Sequence, residues 1–156
     1  MNKNTLRLYK KEDAEEIVNL FYDTVHAVNA KDYTPAQLAA WAPDTIDIDK
    51  WNESLSANYT VVVDRGGVIT GFGDIDKSGY FDHLFVHKDH QGQGVAKLVA
   101  AAIEDYAIQR GMSSITVAAS ITAKPFFESR GYSVLRQQSV ERNGEVLTNF
   151  FMEKAL

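Results

Sequence analysis

One stretch near the middle of the 156-residue chain combines a strand, a glycine-bearing turn and a long helix. Aromatic and branched residues in Tyr80–Val86 indicate the strand, and apolar residues at helical spacing after Gly94 indicate the helix. Gly111 follows as the predicted C-terminal cap. Such a turn directs free backbone N–H groups and the positive end of a helix at one place. The stretch therefore predicts a site for a phosphate group.

The rest of the chain predicts one α+β domain spanning residues 1–156. The predicted strands are 5–9, 59–63, 68–75, 80–86, 114–118, 132–140 and 146–152. Helices are predicted at 35–41, at 122–129 and after Asp13, which with Glu16 forms a predicted capping box. Three strands joined by short turns form an antiparallel meander, and the strand, helix and strand that follow form a right-handed parallel crossover.

Composition excludes several classes of function. The chain has no cysteine, which excludes disulfides, thiolate metal sites and a cysteine nucleophile, and its four histidines lack zinc-site spacing, so no metal is expected. A net charge of −5 argues against a nucleic-acid partner. No apolar run could span a membrane, and Met1–Asn4 precede no apolar signal core. We therefore expect no membrane partner and a cytoplasmic location.

Three phosphate-binding patterns can be compared with the central turn. A P-loop needs Gly-Lys followed by Ser or Thr, whereas Gly94 is followed by Val95 and Ala96. A dinucleotide fingerprint needs a third glycine where Lys97 stands, and an acidic residue at the end of the next strand, which instead runs into Ala118–Ser120. The third pattern, Gln/Arg-x-x-Gly-x-Gly/Ala, matches residues 91–96.

Residues 91–96 resemble the acetyl-CoA pyrophosphate loop of the GNAT superfamily of N-acetyltransferases. Residues 119–132 resemble the second signature of that family, Asn/Ser-x-x-Ala-x-x-Phe-Tyr-x-x-x-Gly-Phe, and stretches 33–37, 40–43 and 148–152 look closest to its bacterial YafP-like branch. The resemblance implies the GNAT acyl-CoA N-acyltransferase fold, with a mixed, mostly antiparallel sheet of about seven strands and helices on both faces. It also implies transfer of an acetyl group from acetyl-CoA to a primary amine of a small molecule or peptide.

The resemblance assigns roles around the acetyl-CoA. Loop amides bind the pyrophosphate, and Lys97 either adds a charged contact or is a solvated helix-face lysine. The fourth and fifth strands splay, so that the backbone of the fourth pairs with the pantetheine arm and polarises the thioester carbonyl. Ser120 stands where the family often has an asparagine, with helix capping as the alternative. The predicted cofactor-binding residues are Leu84, Phe85, Val86, Gln91, Gly92, Gln93, Gly94, Val95, Ala96, Lys97, Ser120 and Phe127.

The candidates for the base that takes a proton from the amine are Tyr80, Asp82 and His83. Because residues alternate along a strand, Tyr80 and Asp82 share a face, with His83 opposite unless a bulge intervenes. His83 has the most suitable ordinary pKa, and cross-strand pairing is the alternative role for it and Asp82. The residues predicted to line the amine pocket, with helix packing as their alternative, are Tyr22, His26, Tyr33 and Trp41.

Phe127 is a departure from the family pattern, since many members have a tyrosine there that protonates the departing CoA thiolate. A CoA-sensing or CoA-binding module that has lost catalysis is therefore an alternative to an enzyme. The third possible function is a toxin-like acetyltransferase acting on aminoacyl-tRNA. The chain has no surplus of basic residues, which argues against it. Without cysteine, direct transfer in a ternary complex is predicted. The closing hairpin is a candidate surface for a homodimer.

Overall fold

The computed structural model describes residues 3–156; Met1 and Asn2, which begin the segment considered for a signal core, lie outside the described residues. The strands are β1 (Asn4–Leu8), β2 (Tyr59–Arg65), β3 (Val68–Ile75), β4 (Tyr80–Val86), β5 (Ser114–Ser120), β6 (Ser133–Arg142) and β7 (Glu145–Ala155). The helices are α1 (Ala14–Ala27), α2 (Pro35–Trp41), α3 (Ile48–Ala57), α4 (Val95–Gln109) and α5 (Lys124–Ser129).

All of these strands belong to one sheet, in the order β1-β2-β3-β4-β5-β7-β6. Neighbouring strands are antiparallel except β4 and β5, which are parallel and are joined through α4. Helices α4 and α5 cover one face, in a core that includes Phe81 and Ile103. Helices α1, α2 and α3 cover the other face, in a core that includes Phe21 and Phe72. The predicted meander, crossover and α+β fold with helices on both faces are confirmed.

Gly73 lets helix α4 lie close against strand β3. A β-carbon at this position would be 2.6 Å from Val99 Cγ1 and 2.8 Å from the carbonyl oxygen of His83. Both distances are below what real β-carbons show, so a side chain here would force α4 away from the sheet. The glycine therefore sets how closely the second turn of α4 packs against the sheet.

The start of α1 differs from the predicted capping box. Asp13 lies in a 3-10 turn, Lys11–Asp13, and makes no side-chain cap to α1. Its carboxylate instead accepts hydrogen bonds from the Lys10 backbone N–H at 2.8 Å and from the Arg7 guanidinium at 2.9 Å. Asp13 does hold the N-cap position before α1, but the predicted capping box is wrong, because an ion pair with β1 takes the Asp13 oxygens and the Glu16 carboxylate accepts from the Ile69 N–H.

Helix α3 has no counterpart among the predicted elements. It begins after Asp47, whose carboxylate accepts a hydrogen bond from the Lys50 N–H at 3.2 Å. Leu55 is its one fully buried residue, but Ile48, Trp51 and Leu55 fall at helical spacing, so the sequence carries a helix signal that the prediction missed. The helix places Trp51 over the sheet, where its ring packs on Phe72.

None of the helices formed by residues 3–156 has the length and hydropathy that crossing a bilayer requires. Strand β6 lies at one edge of the sheet, and most of its residues are exposed. The homodimer through the closing hairpin and the cytoplasmic location both stay predictions.

Candidate active site

A cavity of about 850 Å³ lies along β4, between the sheet and helices α1, α2 and α3, and reaches the first turn of α4. Its volume is in the usual range for small-molecule sites. Tyr80, Asp82 and His83 line it, as do all the predicted cofactor-binding residues except Gln93. The side chain of Gln93 accepts a hydrogen bond from Arg65 at 3.1 Å, away from the cavity.

Strands β4 and β5 separate along the cavity. They pair only where Tyr80 meets Thr116 and Phe81 meets Val117. Beyond Phe81, β4 pairs with β3 alone among the described residues, so its other edge is free to bond an extended ligand. The Val86 carbonyl is an exception, since it accepts hydrogen bonds from Thr24 Oγ1 at 3.0 Å and Gln91 Nε2 at 2.8 Å.

The turn before α4 leaves its backbone amides open to the cavity. Gly94, the residue before the helix, has φ +80 and Gly92 has φ +72, and no side chain caps the helix. A β-carbon on either glycine would meet nothing within 4 Å, so the space above them is empty. The first-turn N–H groups of an α-helix have no intrahelical acceptor. With Lys97 exposed beside them, they form a cradle that fits a pyrophosphate.

A β-bulge brings Asp82 and His83 into the same cavity. Asp74 of β3 pairs with His83 and Ile75 pairs with Phe81, so Asp82 is an extra residue in β4. Strict alternation would have sent His83 to the opposite face from Asp82. The bulge is the exception anticipated from the sequence, and it places the three candidate bases together.

Asp74, which is not among the residues predicted from the sequence, holds the ring of His83. Its side chain is fully buried, and Oδ1 accepts hydrogen bonds from the His83 backbone N–H and ring Nδ1, both at 2.9 Å. Its Oδ2 accepts one from Asn58 Nδ2 at 3.0 Å. Because a carboxylate only accepts, Nδ1 carries the hydrogen and Nε2 keeps its lone pair. An acidic residue within the buried strand β3 is the sequence signal that points to Asp74.

The electrostatic environment makes His83 the proton acceptor best suited to neutral pH. Burial lowers the pKa of His83, but the hydrogen bond to Asp74 and the charges of Asp74 and Asp82 outweigh it, so the pKa is raised. Burial also raises the pKa of Asp82, although the neighbouring His83 opposes this. Burial and the charge of Asp82 raise the pKa of Tyr80, which therefore keeps its proton.

Asp74, Asp82 and His83 are also the one group in residues 3–156 whose ligand atoms are close enough for a metal ion, within 4.8 Å of one another. Both oxygens of Asp74 already accept hydrogen bonds, one of them from the His83 ring. These bonds favour an oriented histidine over a metal site, and the absence of a metal stays a prediction.

The four residues predicted for the amine pocket divide into two pairs. Tyr33 and Trp41 line the cavity, and the Tyr33 hydroxyl donates to the Thr148 carbonyl at 2.7 Å. Tyr22 and His26 lie outside it. The Tyr22 hydroxyl donates to Asp44 at 2.6 Å, and His26 Nε2 lies 2.7 Å from the Ala42 carbonyl oxygen. For these two the predicted position is wrong, because they face the loop after α2 rather than β4.

Ser120 and Phe127 line the cavity but are held by contacts of their own. Ser120 Oγ accepts a hydrogen bond from the Ala123 N–H at 3.0 Å, which closes the turn before α5 and does not cap the helix. Phe127 is 2% exposed, and its ring meets Phe81 and Tyr132 edge to face at 5.4 and 5.1 Å. The tyrosine position of the family signature is therefore filled by a packed apolar ring.

Asn149 of β7 is a cavity residue that the sequence did not indicate. Its side-chain oxygen is buried and has no hydrogen-bond partner among the described residues. Buried acceptors in proteins are nearly always paired, so an unpaired one in a cavity wall suits an N–H donor of a bound ligand.

The sequence and the fold have counterparts among known proteins. The family model described as an acetyltransferase (GNAT) domain matches residues 29–156. The chain is 35% identical over 153 residues to the uncharacterized N-acetyltransferase YafP of Escherichia coli (strain K12), covering 97% of this chain and 96% of that protein. A GCN5-related N-acetyltransferase from Rhodopseudomonas palustris superposes with a TM-score of 0.95 at 35% identity, covering 100% and 98%. The yncA protein from Salmonella typhimurium, solved with its cofactor acetyl-CoA, shares the fold at 20% identity and a TM-score of 0.75, covering 99% of this chain and 94% of that one.

Proposed function

Because the chain belongs to the GNAT acetyltransferase family, we propose that it transfers an acetyl group from acetyl-CoA directly to a primary amine. One observation carries the proposal. A single cavity is lined by the open amide cradle before α4, the unpaired edge of β4 and His83, whose ring Asp74 holds from behind. The first two suit the two ends of an acyl-CoA, and the third suits an amine that must lose a proton.

The residues present fit acetyl-CoA, which when bound supplies an acetyl group activated as a thioester. The amides of residues 91–96 would hold the pyrophosphate, and Lys97 adds a positive charge to this end. The unpaired edge of β4 would pair with the pantetheine arm, and a free N–H on it would polarise the thioester carbonyl. The acetyl-CoA in the Salmonella typhimurium structure supports this assignment.

His83 is the proposed base. The lone pair on Nε2 takes a proton from the nitrogen of the amine as that nitrogen bonds to the acetyl carbon. Asp74 holds the ring in this tautomer and stabilises the imidazolium that forms, as a buried carboxylate does for a catalytic histidine. Asp82, whose carboxylate lies 3.8 Å from His83 Nδ1, adds a second negative charge.

The leaving sulfur also needs a proton, and Phe127 cannot give one. The imidazolium of His83 holds the proton taken from the amine, so it is the acid available when the carbon–sulfur bond breaks. An amine that binds as an ammonium first releases one proton to water. A second proton then passes from its nitrogen through His83 to sulfur, and the products are an amide and free CoA.

The rate constant kcat/KM is expected to rise with pH through an apparent pKa above about 6.5, the ordinary value for histidine, because neutral His83 is the base. In Asp74→Asn the carboxylate charge is lost, so the rise is expected at lower pH. The raised pKa also means that protonated His83 stabilises the fold below the unfolded-state pKa. That contribution disappears as the pH rises through the folded-state pKa. Profiles of kcat/KM for both proteins test this, and an unchanged midpoint in Asp74→Asn would contradict the pairing.

The test of the function separates it from a CoA-binding module without catalysis. Acetyl-CoA is expected to raise the melting temperature, by several degrees if its concentration is about 100 times its Kd, whereas NAD is not. A panel of amines, peptides and charged tRNA is then assayed for release of the CoA thiol, which a thiol reagent detects without background because the protein has no cysteine. Stabilisation by acetyl-CoA with no amine-dependent release would favour the sensing module, and release with charged tRNA alone would favour the aminoacyl-tRNA alternative.

A further inference from the structure

Four aromatic rings, one from each of four secondary-structure elements, form one continuous wall along one side of the cavity. This aromatic wall consists of Phe21 of α1, Trp41 of α2, Trp51 of α3 and Phe85 of β4. The Phe21 ring centroid is 4.7 Å from that of Trp51, 5.1 Å from that of Phe85 and 6.5 Å from that of Trp41. Both tryptophans of the chain therefore lie in this wall.

The aromatic wall begins at the proposed base. The Trp51 ring centroid is 4.8 Å from that of His83, with 36° between the ring planes. Phe85 is 6.4 Å from His83 by the same measure. An amine whose nitrogen approaches His83 would therefore lay the rest of its body against these rings.

The polar groups near His83 suit a single ammonium rather than a polyol. The Asp82 side chain is 35% exposed, and a neighbouring cation would favour its ionised form. Ring faces, by contrast, offer no acceptors for hydroxyl groups, so a sugar amine would lose hydration without replacement. Among the described residues, three further cations line the cavity against one further carboxylate, so a second or third positive charge would be repelled. The cations are Arg142, Lys50 and Lys97, and the carboxylate is Asp47.

From the aromatic wall beside His83 and Asp82, we propose that the acceptor is a primary amine carried on a flat apolar body, such as an arylalkylamine. The inference rests on the proposed function for the acetylation of this amine, whereas the binding of the amine can be tested without that function. The ammonium group is bound beside Asp82, and the aromatic body packs against Trp51 and Phe21. Ring stacking and burial of the apolar body supply the selectivity.

The direct test is a titration of intrinsic tryptophan fluorescence with CoA bound, so that no turnover is needed. Because Trp41 and Trp51 both lie in the wall, phenethylamine is expected to change the emission saturably. Butylamine, which has the same charge without a ring, and spermidine, which has more charge, are expected to bind at least about tenfold more weakly. Equal or tighter binding of either, or no saturable change with phenethylamine, would overturn the proposal.

Two variants at Trp51 separate a binding role from a folding role. Trp51→Leu is expected to weaken phenethylamine binding about tenfold, reported by Trp41, whereas Trp51→Phe keeps a ring and most of the affinity. Equal affinity in all three proteins would contradict the inference. Phenethylamine that binds without being acetylated, in a panel where no amine is, would refute the function and keep the inference. If the protein acetylates other amines but does not bind phenethylamine, the proposed function stands and the inference about the acceptor is wrong.

Discussion

Replacing His83 with glutamine is expected to lower kcat for amine acetylation by about 100-fold or more, the usual contribution of a general base. Glutamine can still donate to Asp74, which is buried and would otherwise lose a partner. It cannot take a proton, however, so the amine must lose its proton to water. The affinity for acetyl-CoA, measured by calorimetry, is expected to be unchanged.

The matched control is His26→Gln, the same replacement at a histidine that lies outside the cavity. Its kcat is expected to stay within about twofold of the wild type, as for most substitutions away from a site. Comparable losses in both variants would mean that the histidine-to-glutamine change acts through the fold. Full activity in His83→Gln would show that another group is the base.

Replacing Gly94 with valine is expected to raise the Kd for acetyl-CoA by about 10- to 100-fold, equivalent to about 1.4–2.8 kcal/mol. Gly94 has φ +80, a conformation that costs a branched residue about 1–3 kcal/mol. The backbone would relieve that strain by turning its amides out of the cradle. Its added side chain would also occupy the open space above the turn.

Gly67→Val is the control for backbone strain. Gly67 lies in the β2–β3 hairpin with φ +91, and a β-carbon there also meets nothing within 4 Å. The free energy of unfolding of Gly67→Val is expected to fall about as far as that of Gly94→Val, while its affinity for acetyl-CoA is expected to match that of the wild type. If both variants bind acetyl-CoA as the wild type does, the turn before α4 is not the pyrophosphate site.

Features encoded in neighbouring residues could be predicted from the sequence. The glycines of residues 91–96, the strand before them and the helix after them form a local pattern, and the structure has each element where the pattern indicates. The hairpins at Gly66–Gly67 and Asn143–Gly144 likewise follow from residues that tolerate positive φ. The meander and the crossover then followed from connection lengths alone.

Features that depend on pairing between distant residues could not be predicted from the sequence. Asp74 meets His83 only because the bulge at Asp82 shifts the register between two strands, and no local pattern encodes that shift. Trp51 reaches the cavity because α3 packs against Phe21 of α1, and the local pattern of α3 does not say which element it packs against. Tyr22 lies on α1 with Phe21, but its angular position on the helix turns it away from the cavity.

Transfer of an isotope-labelled acetyl group tests the central claim most directly. The protein is incubated with labelled acetyl-CoA and a pool of primary amines that includes arylalkylamines, aliphatic amines, amino sugars and peptides, and the products are identified by mass spectrometry. Labelled amide is expected in an amount equal to the CoA released, and in the His83→Gln variant about 100-fold more slowly. Label that stays on CoA, or appears as acetate at the same rate with and without amines, would contradict the assignment as an N-acetyltransferase.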